Sequence, residues 1–167
     1  MRDRAVETMP WQAQAAHDEP LYRAQIARLF DRSPFYREKL GQAGFADAAS
    51  AGGLADIASL PFTEKDELRA SRTPENPIGG HLAVPMSEIA RIYSTSGTTG
   101  TPSYIPLTAE DLADWVEISS RSYAASGLQK GERIVSTYNA GPFVAGAALD
   151  AFNLLGLCHI PVGTGNT

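Results

Sequence analysis

The last third of the chain places the tightest limit on the fold. Arg133 to Tyr138 reads as a strand, Pro142 to Leu155 as a helix and Leu157 to Val162 as a second strand. Strand–helix–strand at this spacing implies a right-handed crossover with the two strands parallel. A parallel pair needs cover on both faces and further strands beside it. Only one crossover helix is in view, and an apolar final strand leaves an unpaired edge. The expectation is therefore an α/β unit that is incomplete as a folding unit. Ala140 to Val162 is long enough to span a membrane, but Asp150, Asn153, Pro142, Gly146 and Gly156 interrupt it. A buried α/β segment explains it better than a membrane helix.

Upstream the pattern is helical. Pro20 suits a first helical position, and Leu21, Tyr22, Ile26, Leu29 and Phe30 then recur at helical spacing. Ser33-Pro34 is an N-cap followed by an N1 proline, with Gly41 or Gly44 as the stop. Thr63 is expected to cap a short helix from Glu64 to Ala70, whose early Glu64, Asp66 and Glu67 suit the helix dipole. Ser71 to Pro85, with Pro74, Pro77, Gly79 and Gly80, reads as a loop. The character changes near Ser87, so residues 1–86 are expected to form an N-terminal helical region and residues 87–167 a partial α/β subdomain.

That second region opens with alternation from Ile89 to Tyr93, and Tyr104-Ile105-Pro106-Leu107 is extended again, Pro106 marking an edge strand or a strand end. Thr108 then caps a long helix to about Ser126, with Glu110, Asp111 and Asp114 early and Gly127 as the stop. Leu112, Trp115, Val116, Ser119 and Tyr123 give this helix one packed face.

Composition removes several function classes. Lys plus Arg is 14 against 19 for Asp plus Glu, a net charge of −5, with no basic block to follow a nucleic-acid backbone. Cys158 is the single cysteine, so neither an internal disulfide nor a Cys-rich zinc site is available. His17, His81 and His159 lack ligand spacing, and each is expected to be structural or solvated; no metal site is expected. Met1 to Glu7 is charged with no apolar stretch after it, so no signal peptide is expected and the cytoplasm is the default location.

Between the two extended segments lies Ser94-Thr95-Ser96-Gly97-Thr98-Thr99-Gly100. Gly97 and Gly100 permit backbone angles closed to other residues and let main-chain N–H groups approach a ligand. Ser94, Thr95, Ser96, Thr98, Thr99 and Thr101 add hydroxyl donors. The loop carries no charge, so a polyanion would be held by hydrogen bonds and by a metal ion arriving with it. On composition alone a flexible Ser/Thr/Gly linker fits equally well. A Walker A loop does not fit, since the terminal lysine is missing and an extended segment follows; a dinucleotide-binding fingerprint fails on glycine spacing.

Residue order separates these alternatives. Tyr93-Ser94-Thr95-Ser96-Gly97-Thr98-Thr99-Gly100-Thr101-Pro102-Ser103 resembles the phosphate-binding signature of the adenylate-forming superfamily: acyl-CoA synthetases, peptide-synthetase adenylation domains and luciferases. Many of its members carry lysine where Ser103 stands; a small polar residue there is more like the phenylacetate–CoA ligase branch. Pro34-Phe35-Tyr36-Arg37, Leu60-Pro61-Phe62-Thr63-Glu64-Lys65-Asp66-Glu67-Leu68-Arg69, Arg91-Ile92, Gly131-Glu132-Arg133-Ile134 and Leu155-Gly156-Leu157-Cys158-His159-Ile160-Pro161-Val162 also resemble landmarks of that branch. The resemblance runs from about Leu21 to Thr167.

The resemblance implies an ATP-dependent, AMP-forming acid–CoA ligase. Such enzymes join a carboxylate to ATP, release pyrophosphate and pass the acyl group to the thiol of coenzyme A, with ATP, Mg2+ and coenzyme A as participants. It implies that Thr95, Ser96, Gly97, Thr98, Thr99 and Gly100 hold the β- and γ-phosphates, with Ser96, Thr98 and Thr99 the leading hydroxyl donors. Tyr138 and Phe143 resemble aromatic positions lining the acyl pocket, which suits an aryl acid; read without the family, both are equally core residues. Ala140 stands where a second aromatic is frequent, and Pro142 alters the turn, which counts against phenylacetate itself. The aromatic-Thr-Glu motif, the ribose aspartate, the hinge and the catalytic lysine are expected beyond Thr167, so no catalytic residue is expected within this chain. Expected partners are a small carboxylic acid, the remainder of the ligase chain and, as in many relatives, a second copy in a homodimer. Two other outcomes stay open: an adenylating enzyme whose acceptor is an amine, a carrier protein or an F420-type cofactor, and a non-catalytic nucleotide-binding remnant.

Overall fold

The protein is described by a computed structural model covering residues 2–95, 102–138 and 145–163. In chain order the helices are α1 (Arg4–Glu7), α2 (Trp11–Arg32), α3 (Pro34–Gln42), α4 (Lys65–Ala70), α5 (Ala109–Ala125) and α6 (Ala145–Leu155). The strands are β1 (Ile89–Ser94), β2 (Tyr104–Thr108), β3 (Arg133–Ser136) and β4 (Cys158–Pro161). The chain divides into two compact units, Met9–Met86 and Ser87–Thr167, and Met1–Thr8 groups with the second.

In Met9–Met86 the helix ends are set by specific hydrogen bonds. The buried Ser33 hydroxyl accepts the Tyr36 N–H (3.4 Å) and donates to the Gly80 carbonyl (3.2 Å), while Pro34 opens α3. Gly44, at φ +94°, closes α3 with the left-handed turn that favours glycine, and Phe45 N–H donates back to Leu40 (3.0 Å). Gly41 stays inside the helix.

Two boundaries differ from the sequence reading. Pro20 lies inside α2 rather than at its start. An interior proline costs about 3 kcal/mol, yet Ala13, Ala15 and Ala16 upstream are strong helix formers. Glu19 also ties this stretch to Arg23 (2.6 Å) and to the Leu54 N–H (2.8 Å). At α4 the cap is not Thr63: the helix begins at Lys65, because the Glu67 carboxylate reaches back to accept the Glu64 N–H (2.6 Å). Glu67 also pairs with Lys39 of α3. Ile26, Leu40, Ala51 and Ile78 are the buried apolar residues of this unit.

The second unit contains an antiparallel and a parallel strand pair. β1 and β2 pair antiparallel with Ser94 opposite Tyr104, Tyr93 opposite Ile105 and Ile92 opposite Pro106, and the register shifts between Ile89 and Arg91. β3 and β4 run parallel, Arg133 opposite Cys158 and Ser136 opposite Pro161, joined through α6. β3 ends at Ser136, short of Tyr138, and β4 runs only from Cys158 to Pro161. Residues 139–144, the start of the expected second helix, lie outside the described residues.

Thr108 caps α5 reciprocally: its Oγ1 accepts the Asp111 N–H (3.1 Å), and Asp111 accepts the Thr108 N–H (2.9 Å). Gly127, at φ +99°, ends it, with Leu128 N–H donating to Tyr123 (3.2 Å). Tyr93 and Leu107 form a buried pair against which Ile105, Leu112 and Trp115 pack. Further along α5 the buried residues are small, Ser120 and Ala124. α5 packs along α6, whose Ala151 and Phe152 are buried. Among the described residues no helix is long and apolar enough to cross a membrane.

Candidate functional site

The hairpin carrying the Ser/Thr/Gly run is closed one step beyond its last strand pair. Thr95 N–H donates to the Ser103 carbonyl (3.0 Å), and Ser103 N–H donates to Thr95 Oγ1 (3.0 Å). The second bond uses a threonine side chain where a ladder would use a carbonyl, so Thr95 serves the stem as well as the turn. Its Oγ1 accepts from the stem, which leaves the hydroxyl hydrogen to donate elsewhere. Ser96, Gly97, Thr98, Thr99 and Gly100, the other expected phosphate ligands, lie outside the described residues.

Packing fixes the stem from behind. Tyr93 is buried, its ring meets Trp115 at 6.2 Å between centroids, and Arg91 Nη1 donates to its hydroxyl (3.0 Å). The same Arg91 nitrogen reaches Asp150 of α6 (3.1 Å). The bond to Tyr93, followed by that to Asp150, holds the guanidinium more firmly protonated than usual. Gly146 of α6 faces the ring so closely that a Cβ there would lie 3.1 Å from Tyr93 Cε1. The strand leading into the turn is therefore seated against the helix of the βαβ unit.

The expected acyl-pocket residues fall just past the carboxyl end of β3. Ligands in open α/β sheets gather at this end of the strands. Tyr138 lies just past β3 and is 52% exposed, so it is not a core residue; Phe143 lies outside the described residues. Burial pushes the nearby Tyr123 phenol up, and Tyr138 adds to the shift. At the end of the same strand pair Ser136 Oγ and His159 Nε2 are 2.6 Å apart, and the His159 ring meets Phe152 at 5.1 Å. His159 thus has a hydroxyl partner and an aromatic neighbour.

Among the described residues no three His, Cys, Asp or Glu side chains converge to hold a metal ion. At the head of the hairpin the Thr95 and Ser103 backbone amides are both bonded across the stem, which leaves hydroxyl hydrogens as the donors among the described residues there. Sequence reasoning missed Arg91, Asp150 and the Ser136–His159 pair. Arg91 and Tyr93 share a strand face at i, i+2 and were within reach of a pattern argument. The other partners meet only through the parallel register and the packing of α6.

No protein-family model matches the chain. It is 36% identical over 163 residues to the phenylacetate–coenzyme A ligase of Thermus thermophilus, which takes in 97% of this chain and 35% of that enzyme. The Pseudomonas putida phenylacetate–coenzyme A ligase is 33% identical over 170 residues, 99% of this chain and 37% of the enzyme. The chain spans between 31 and 37% of the length of the curated relatives it matches. Among solved structures, an open conformation of 2-hydroxyisobutyryl-CoA ligase with 2-HIB-AMP and CoA superposes with a TM-score of 0.85 at 25% identity, over 96% of this chain and 37% of that one. The same ligase in its thioesterification state gives 0.83 at 27% identity, over 96% and 34%.

Proposed function

Since the chain belongs to the phenylacetate–CoA ligase-like branch of the adenylate-forming enzymes and corresponds to their N-terminal part, we propose that it supplies the phosphate-gripping portion of an ATP-dependent, AMP-forming acid–CoA ligase. In that reaction a carboxylate oxygen attacks the α-phosphorus, the bond to the bridging oxygen breaks, and pyrophosphate leaves. The thiolate of coenzyme A then attacks the acyl carbon and expels AMP. The first step is assisted mainly by positioning and by donors aimed at the phosphoryl oxygens.

The observation that carries this reading is the Thr95–Ser103 closure of the hairpin. It fixes both ends of a Ser-Gly-Thr-Thr-Gly run in a chain related to these ligases. On this reading Ser96, Thr98 and Thr99 donate to the β- and γ-phosphates with the Gly97 and Gly100 amides, and Thr95 donates from the rim. Tyr138 and Phe143 form an aromatic wall for an aryl acid, supported by the exposure of Tyr138 at a strand's carboxyl end. Mg2+ arrives with the nucleotide and neutralises phosphate charge that the uncharged turn does not. The complete ligase works in the cytoplasm as a homodimer, with residues 1–86 as its helical entry region and residues 87–167 beginning its adenylation domain.

Isothermal titration of the complete ligase carrying this segment with Mg2+–ATP tests the grip. Saturable binding that the Thr98→Ala/Thr99→Ala double variant loses is the expected result. Equal heats from wild type and double variant would remove the assignment of these hydroxyls.

A further inference from the structure

Two residues of β1 and two of α6 match in spacing where these elements meet. Arg91 and Tyr93 stand at i, i+2 on one face of β1, and Gly146 and Asp150 at i, i+4 on one face of α6. Gly146 leaves room for the Tyr93 ring: a Cβ there would lie 3.1 Å from Cε1 and 3.3 Å from the hydroxyl oxygen. One turn along, the Asp150 carboxylate accepts from Arg91 Nη1 (3.1 Å), and the same nitrogen donates to the Tyr93 hydroxyl (3.0 Å). The guanidinium carbon also lies 5.9 Å from the centre of the Tyr93 ring. Arg91 thus ties the buried side chain of β1 to a carboxylate on another element.

This link differs in kind from the packing around it. The Arg91 and Asp150 side chains are both 45% exposed, and ion pairs so open to water add little to stability. Packing of Tyr93 with Trp115 and Leu107 already holds the stem to the fold. What the link adds is a fixed position for the ring along α6, because Arg91 meets both partners with one nitrogen. Two residues further on, Thr95 closes the stem with Ser103, so the setting of Tyr93 passes directly to the head of the hairpin.

Resting on the phosphate-grip reading above, we propose that Arg91 is a positioning residue for nucleotide binding: held by Asp150, it sets where the hairpin stem sits on α6. Its contribution is made before the nucleotide arrives, as ordering that binding no longer has to supply. Arg91 acts through Tyr93 and contacts no phosphate.

The test uses the complete ligase carrying this segment, with calorimetric titration of Mg2+–ATP and thermal melts of the free protein. Tyr93→Phe keeps the ring and loses the hydroxyl; Asp150→Ala loses the carboxylate and places the strongest helix former in α6. Each is expected to weaken Mg2+–ATP binding about fivefold, as for one lost hydrogen bond. The melting midpoint should fall by no more than about 3 °C. The double variant is expected to be no weaker than either single one, since both break the same link. Asp150→Glu keeps the charge and is expected to restore most of the affinity.

A wild-type ligase that takes up no Mg2+–ATP sinks the grip, and the role of Arg91 with it. Single variants that bind as tightly as wild type overturn the positioning role and leave the grip standing. So do losses that multiply in the double variant, or an Asp150→Glu ligase as weak as Asp150→Ala, since Arg91 would then not be joining the two partners.

Discussion

Met9–Met86 surrounds its small apolar core of Ile26, Leu40, Ala51 and Ile78 with polar ties between helix ends and loops, whereas the Ser87–Thr167 unit is built around a run of aromatic contacts. In the first, Gly80 receives the Ser33 hydroxyl and donates to Ser71, Glu19 holds the Leu54 N–H, and Lys39 pairs with Glu67. In the second, Tyr93 meets Trp115, Tyr123 meets Phe152, and Phe152 meets His159. Polar ties need particular partners at particular places, so each loop they fix is committed to structure. At the hairpin the two means meet: Tyr93 seats the stem on Trp115 by packing, and the Thr95 hydroxyl oxygen closes it by accepting the Ser103 N–H.

The largest effect expected from breaking this contrast is at Phe152. It is 2% exposed and touches two aromatic partners, so Phe152→Ala should cost about 3–5 kcal/mol. Denaturant titration gives the loss, and native-state hydrogen exchange should place it in Ser87–Thr167. An equal rise in exchange across Met9–Met86 would contradict the division of labour.

A smaller loss is expected at Ser33, the fully buried cap of α3. Ser33→Ala removes the cap to Tyr36 and one of the two donors to the Gly80 carbonyl, which keeps the Phe35 N–H (3.2 Å), at a cost of about 1 kcal/mol. Faster exchange at the start of α3 and around Gly80 is the expected signature.

The smallest effect is electrostatic. Hydrogen bonding from the Glu64 N–H, then from Lys39, holds the Glu67 carboxyl below its ordinary range. A depressed carboxyl contributes stability that is complete above the unfolded value, about 4.3, and is lost as pH falls through the folded one. Acidification should therefore loosen α4 below that value, and Glu67→Gln should flatten this part of the pH profile. An unchanged profile in the variant would remove Glu67 as the source.

Much of this was legible because it is local. Ser33-Pro34, Thr108 with Asp111, Gly44 and Gly127 all mark helix ends through bonds within a few residues, and the structure makes those bonds. Pro20 misled because a tie from Glu19 to Leu54, distant in sequence, supports α2 across it. Thr63 misled because Glu67 reached back one residue later than a cap pattern suggests. Ser120 and Ala124 were invisible as core because periodicity arguments weigh large side chains. At the site, residue order pointed to the grip, but no pattern in the sequence reveals that Thr95 spends its oxygen on the stem or that the Ser103 hydroxyl is buried unpaired.

The contrast between the units makes one demand above the others: nucleotide should be felt in one unit only. Hydrogen–deuterium exchange of the chain with and without saturating Mg2+–ATP measures this directly. Slower exchange is expected in peptides covering residues 94–104, with Met9–Met86 unchanged. Protection appearing in Met9–Met86 instead, or no protection anywhere at a nucleotide concentration shown to saturate, would contradict it.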